Sequence, residues 1–277
     1  MKKVLAVSGG IDSVVMLHLF RNDPAIIVAH YNHGIRPNSD EDRDFVAKLA
    51  QRYGVKFETI DGNLGANASE ARARAARYKF FESLCEKYHG KLYVAHHLDD
   101  AYESIAINIL RGTGWRGLAP LGNPNIERPL LGWRKRDIYH YAAKYNLSFR
   151  QDQTNNENTY LRNRIRMALA CADEAQKKQL GQLYNRQCQI ATEIQGILDD
   201  FSSRQGQFVS RNLFRTLDER ISIELLRELL RSKGISQTRP QLHRALAAIG
   251  TYGPGKRFPL GKEAHISIEK YHFIIKK

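Results

Sequence analysis

Four times in the first 111 residues, a short run rich in β-branched and aromatic side chains gives way to a longer amphipathic stretch. "KKVLAVS" is followed by helical spacing over residues 12–20, "AIIVAHYNH" by 40–53, "VKFETID" by 69–88 and "KLYVAHH" by 99–111. A repeated strand–helix alternation requires crossover connections. It therefore predicts an α/β fold, a parallel sheet with helices on both faces, in which "VLAV" is the buried first strand. Ligands of such sheets bind beyond the carboxyl ends of the strands. Ser8-Gly9-Gly10, His30 to Arg36 and His96 to Asp100 fall at those ends, so three polar clusters far apart in sequence are expected at one rim.

The second half reads differently. A Pro-containing loop over 123–131 precedes a helical pattern over 134–146, then a polar stretch, "RQDQTNNENTYLRNRIR". A long polar helix is expected over 174–201. "GQFVS", helices over 218–233 and 241–249, and the short strands "KRFPL", "HISIEK" and "YHFIIKK" follow, the pattern of a small α+β domain. This divides the chain into an α/β domain over 1–185, a linking helix over 186–205 and a small domain over 206–277. The net charge is +14, and residues 186–277 hold 16 Lys+Arg against 9 Asp+Glu, so the smaller body is the more densely basic. Such a balance points to a polyanionic partner such as nucleic acid, the plain alternative being a solvated basic surface. No apolar run approaches the roughly 20 residues of a membrane helix, and "VLAV" is too short for a secretory signal. Cys85, Cys171 and Cys188 lie far apart without a CxxC pair, which argues against a disulfide framework or structural zinc and for a reducing cytosol.

The loop "SGGIDS" sits between the first strand and the first helix. Glycines there let backbone N–H groups approach an anion closely, and the following helix adds its positive end. Ser8 and Ser13 offer hydroxyls. Asp12 alone would repel phosphate; it makes sense if magnesium, which favours carboxylate and phosphate oxygens together, lies between them. The competing explanation is a helix cap after a glycine turn. Two other glycine patterns are decoys. "GTGWRG" over 112–117 follows a helix rather than a strand, and "GTYGPGKR" over 250–257 places Arg257 where a P-loop needs Ser or Thr and runs from helix to strand.

"HYNHGIR" and "AHHLDD" together offer four histidines and two acids, which suits a metal hydrolase; hydrogen-bonded histidines lining a polar cleft are the simpler explanation. Asp99 and Asp100 open a helix and Glu103 lies one turn on, where acids complement the helix dipole but can also hold magnesium or orient an amine. Arg74 and Arg77 in "EARARAARY", and Arg162 and Arg166 in "RNRIR", recur at helical spacing. They form either a solvated face or a set of guanidinium forks for a triphosphate or an RNA backbone. Arg111 precedes the flexible 112–117 loop and Arg116 lies in it, which makes the loop basic.

These segments together resemble one family. "SGGIDS" is similar to the SGGxDS loop of the N-type ATP pyrophosphatases. "HYNHGIR", "EARARAARY", "AHHLDDAYES", "LRGTGWRGL", "RPLL" and "DQTNNENTYLRNRIR" stand in the order and spacing of the tRNA(Ile)-lysidine synthases, over about residues 1–168. Ala101 replaces a frequent Gln and Ser104 a common Thr, and neither change removes a carboxylate. Thiolase relatives rely on paired cysteines, and glutaminase-linked synthetases carry an amidotransferase domain; with Met1 leading straight into the first strand, none is expected here. The resemblance implies a Rossmann-like PP-loop fold of the short form and a cytoplasmic, ATP- and Mg2+-dependent carbon–nitrogen ligase. The wobble cytidine of a tRNA(Ile) with a CAU anticodon is adenylated at its C2 oxygen, releasing pyrophosphate. Free L-lysine then displaces AMP. It further implies ATP binding by Ser8, Gly9, Gly10, Ile11, Asp12 and Ser13 with His30 and Arg36, and magnesium at Asp12. Catalysis falls to Asp12, Asp99, Asp100 and Glu103, and substrate or tRNA contacts to Arg74, Arg77, Arg111, Arg162 and Arg166. A homodimer is among the assemblies it allows.

Overall fold

In the computed structural model, the apolar runs of the first half fill the middle of a five-stranded parallel sheet. The structure describes residues 1–34, 39–62, 70–119, 125–150, 161–261 and 264–277, the side chains of 70, 71, 161–163 and 170 excepted. Strands β1 (Lys2–Ala6), β2 (Ile26–Asn32), β3 (Lys56–Asp61), β4 (Gly90–Tyr93) and β5 (Ile126–Glu127) lie in the order β3-β2-β1-β4-β5. Val4 of β1 faces Ile27 on one side and Leu92 on the other. Successive side chains of a strand point to opposite faces, and here each face has a core of its own. Leu5, Ile26 and Val28 pack with Val14, Val15, Met16 and Leu17 on one side, while Val4, Ala29 and Leu92 pack with Phe81 and Leu84 on the other. That two-sided burial is why the strands are apolar at consecutive positions.

The helices of this unit are α1 (Ile11–Phe20), α2 (Ser39–Arg52), α3 (Glu70–Lys87), α4 (Leu98–Leu110), α5 (Trp115–Leu118), α6 (Lys135–Lys144) and α7 (Leu161–Cys171), and α8 (Glu174–Arg204) begins in it. Helix α1 is buried along nearly its whole length, from Ile11 and Ser13 to His18, as an all-round apolar helix must be. The chain leaves β1 toward β2 and later crosses back to lay β4 on the other side of β1. The crevice at that reversal, between the carboxyl ends of β1 and β4, is where ligands of such sheets bind.

Two features depart from the sequence expectations. β4 stops at Tyr93, so the run "KLYVAHH" is strand only in its first half and His96 and His97 lie beyond it. The Pro-containing loop contributes the two-residue β5, which pairs with Leu92 and Tyr93. The end of the polar stretch, from Leu161, is helical, in keeping with the helical spacing of "RNRIR".

The chain divides into two compact units, Met1–Cys188 and Gln189–Lys277, and the division falls within α8. In the second unit, β6 (Val209–Ser210), β7 (Arg257–Pro259), β8 (His265–Ile268) and β9 (His272–Lys276) form an antiparallel sheet in the order β6-β9-β8-β7, with α9 (Arg211–Thr216), α10 (Glu219–Ser232) and α11 (Arg239–Thr251). Ile223, Leu226, Leu229 and Leu230 recur at helical spacing on α10 and are buried. Asp218 caps α10 by accepting the Arg220 N–H at 2.9 Å, and Gln241 caps α11 through the Thr238 N–H at 2.8 Å. Among the described residues, no helix is long and apolar enough to cross a membrane.

Candidate active site

The glycine turn between β1 and α1 is wound around one hydroxyl. Ser13 Oγ donates to the Gly10 carbonyl at 2.8 Å and accepts the N–H groups of Ser8 and Gly9, each at 3.2 Å. Ser13 is buried, so its hydroxyl, expected to face a ligand, holds the loop's shape instead. Gly9 has φ +92°, a conformation that side-chain-bearing residues rarely adopt, and its carbonyl accepts the Arg150 N–H at 2.9 Å. The first helical hydrogen bond of α1 is Val14 N–H to the Gly10 carbonyl, 3.0 Å. The N–H groups of Ile11, Asp12 and Ser13 therefore have no acceptor within the helix and point out of its positive end. His30 braces the loop from β2, its Nδ1 2.8 Å from the Val7 carbonyl. Burial pushes its imidazole below the usual value, only partly offset by that carbonyl. Arg36 lies outside the described residues.

Against this loop stands a cluster of alternating charge. Lys135 Nζ donates to both Asp12 oxygens, at 2.6 and 2.8 Å. His97, buried before α4, holds Nε2 at 3.8 Å from Asp12 Oδ1 and 3.6 Å from Asp100 Oδ2. Its backbone N–H donates to Asp100 Oδ2 at 3.0 Å. Asp99 turns the other way: its oxygens accept Arg134 Nε at 3.0 Å and the Lys135 N–H at 2.7 Å, so it caps α6. Glu103, whose side chain is 4% exposed, accepts a bidentate pair from Arg166, Nε at 2.6 Å and Nη2 at 3.2 Å. Glu103 first, and Asp100 and Asp12 behind it, hold the Arg166 guanidinium firmly protonated.

The structure thus joins Asp12, Asp99, Asp100, Glu103 and Arg166. The other expected arginines have different surroundings. Arg74 and Arg77 share the ring of Tyr78, their guanidinium carbons 4.7 and 5.8 Å from its centroid. Arg111 follows the far end of α4, roughly 16 Å along the helix from Asp100 at 1.5 Å per residue. Arg162 lies on α7, its side chain outside the described set. Sequence reasoning missed Arg134 and Lys135, which sit in "WRKRD" among equally basic neighbours; His97, among carboxylates in a polar cleft, matches the simpler of the two explanations offered for the histidines. The one local signal was Asp137, which accepts the Arg134 N–H at 2.9 Å and marks the start of α6. Among the described residues, no group of three or more His, Cys, Asp or Glu is arranged to hold a metal ion.

Residues 1–172 match the family model described as "PP-loop domain". The chain is 32% identical to the tRNA(Ile)-lysidine synthase of Neisseria gonorrhoeae, over 84% of this chain and 56% of that protein. It is 33% identical to the enzyme of the same name from Caldanaerobacter subterraneus, over 81% and 50%. The bifunctional protein TilS/HprT of Listeria monocytogenes is 37% identical over 61% of this chain and 29% of its own length. The chain thus spans about half the length, or less, of these curated relatives. Among solved structures, the U34-tRNA thiolase NcsA of Methanococcus maripaludis superposes with a TM-score of 0.57 at 20% identity, over 68% of this chain and 73% of that one, a likeness of fold. The family match covers the sheet, the glycine turn and the charged cluster, and the chain belongs to the PP-loop domain family.

Proposed function

We propose that the chain is an ATP-dependent tRNA(Ile)-lysidine synthase, cytoplasmic, acting on a tRNA(Ile) with a CAU anticodon and on free L-lysine. The observation that carries this reading is the meeting of the glycine turn with the acidic ends of α4 and the cations of α6 and α7 at one sheet reversal. The names of the relatives and the +14 charge support it.

The free N–H groups of Ile11, Asp12 and Ser13 bind the departing pyrophosphate, and the positive end of α1 stabilises its growing charge. The Asp12 carboxylate is 30% exposed and already accepts a cation, so its chemistry fits a magnesium ion. Asp12 would hold that ion, which when bound would offset charge on the phosphates. Of the three acids on α4, Asp99 is spent on capping α6 and Glu103 on Arg166, which favours Asp100 for the lysine ammonium and its proton. Arg166, its side chain 43% exposed, keeps guanidinium donors for the lysine carboxylate or a phosphate. The wobble cytidine must leave its stack to reach this rim. The densely basic 206–277 domain holds the tRNA by backbone charge and shape, with Arg74, Arg77 and Arg111 as further contacts.

The test is incubation with ATP, radiolabelled lysine and a CAU-anticodon tRNA(Ile). Label is expected at the wobble base, with one AMP and one pyrophosphate per lysine. ATP turnover with no label in the RNA would refute the assignment.

A further inference from the structure

The glycine turn carries no lysine, and its charged side chain is an acid, yet a lysine reaches it from 123 residues away. Lys135 is rooted firmly. It is the first residue of α6, its N–H donates to Asp99, Arg134 Nε holds the other Asp99 oxygen, and the Leu98 N–H donates to the Trp133 carbonyl at 2.9 Å. Its ammonium is held less firmly. The side chain is 35% exposed, and besides Asp12 the ammonium lies 5.5 Å from the centroid of the Tyr139 ring. A fixed root with a flexible four-carbon arm can change partner without moving the backbone.

We propose that Lys135 is a phosphate-binding cation of this site: it neutralises Asp12 while no nucleotide is bound, then passes to the phosphate oxygens of ATP as a divalent cation takes over Asp12. The proposal rests on the ATP reading above and deepens it. Asp12 is the second residue of α1, so a cation on its carboxylate lies within a side chain's length of the free N–H groups of Ile11, Asp12 and Ser13. An uncompensated carboxylate there opposes any polyanion that those groups attract. Partner exchange keeps the acid neutralised before and after the nucleotide arrives. A permanent ion pair would instead keep Asp12 from the metal and leave the ammonium unavailable to phosphate.

The test is equilibrium binding of a non-hydrolysable ATP analogue to the full chain, in magnesium and in EDTA, for the wild type, Lys135→Gln, Lys135→Arg and Asp12→Asn/Lys135→Gln. Lys135→Gln should weaken binding about tenfold in magnesium, where its phosphate contact is lost, and more in EDTA, where Asp12 is also left uncompensated, so the ratio of magnesium to EDTA affinity widens by about tenfold to a hundredfold. Lys135→Arg should stay near wild type, and the double variant should narrow the ratio again, because the uncompensated acid is gone. An equal loss in both buffers, which is what a purely structural ion pair gives, would overturn the inference. So would no change, a failure of the second substitution to narrow the ratio, or a wild type that binds only with magnesium. A wild type that binds in neither buffer would refute the ATP reading itself.

Discussion

Glu103 and Arg211 are both buried charges, and the two units satisfy them differently. Arg211 opens α9 and is 6% exposed; its guanidinium donates to the backbone carbonyls of Ile249 at 2.8 Å, Glu269 at 2.9 Å, Tyr252 at 2.8 Å and Gly250 at 3.4 Å. Three of these lie at the end of α11, where helical carbonyls lack partners, so the arginine clasps α9, α11 and the β8–β9 turn together. Its partners are main-chain atoms and cannot leave. Glu103, Asp99 and Asp12 are instead met by long side chains from α7 and α6: Arg166, Arg134 and Lys135. Those arms can swing to a ligand. Arg211 is thus fixed by the backbone it clasps, whereas the charges around the glycine turn are paired with side chains that can change partner.

The contrast can be broken by substitution. The largest effect is expected at Asp12. Asp12→Asn should lower lysine- and tRNA-dependent pyrophosphate release by about a thousandfold, the scale of losing a transition-state charge contact, with the thermal midpoint little changed; near-normal release would show that the acid has no part in the chemistry. Arg211→Met should do the reverse. Orphaning several carbonyls costs about 3–4 kcal/mol of stability in the second unit, visible as a lowered urea midpoint, while ATP binding by Met1–Cys188 persists. Equal loss of ATP binding would deny the division of labour. Arg166→Gln should sit between the two. It should raise the lysine KM by about tenfold to a hundredfold, and the buried Glu103 left without its cation should cost some stability as well.

The smallest effect concerns the buried histidines. His18 and His30 are both held below the ordinary imidazole value, mainly by burial, with Arg21 and Arg52 adding to it at His18. A depressed folded pKa means that the unfolded chain takes up the proton first. Their contribution to stability is therefore full above about pH 6.5 and is lost as the pH falls below it. The thermal midpoint should drop between pH 7.5 and 5.5, and His30→Gln should flatten part of that slope. A midpoint independent of pH over this range would contradict the burial assigned to these rings.

How much of this was legible in the chain follows from the kind of interaction. Burial on both faces writes itself into consecutive apolar residues, so β1 and β2 were readable from "VLAV" and "AIIVA". Short elements defined by a neighbour are not: β5 is two residues beside Leu92 and Tyr93, and α9 is six residues opened by Ser210. The same division holds within the site. The glycine turn and the acids of α4 are local patterns, legible in "SGGIDS" and "AHHLDD". Lys135 reaches Asp12 because α6 starts next to Asp99, and nothing in "WRKRD" separates it from Arg134 or Arg136. Ser13 was read as a ligand donor because a hydroxyl after a glycine turn invites that role; that it faces the turn's own N–H groups is a matter of backbone path.

The central question is where the ATP tail lies, and a crystal structure of the chain with a non-hydrolysable ATP analogue and magnesium answers it most directly. The expected result is a triphosphate seated on Gly9, Gly10 and the N–H groups of Ile11, Asp12 and Ser13, with Asp12 on the cation and Lys135 on a phosphate oxygen. A triphosphate bound elsewhere, with Asp12 still paired to Lys135 or turned to solvent, would contradict it.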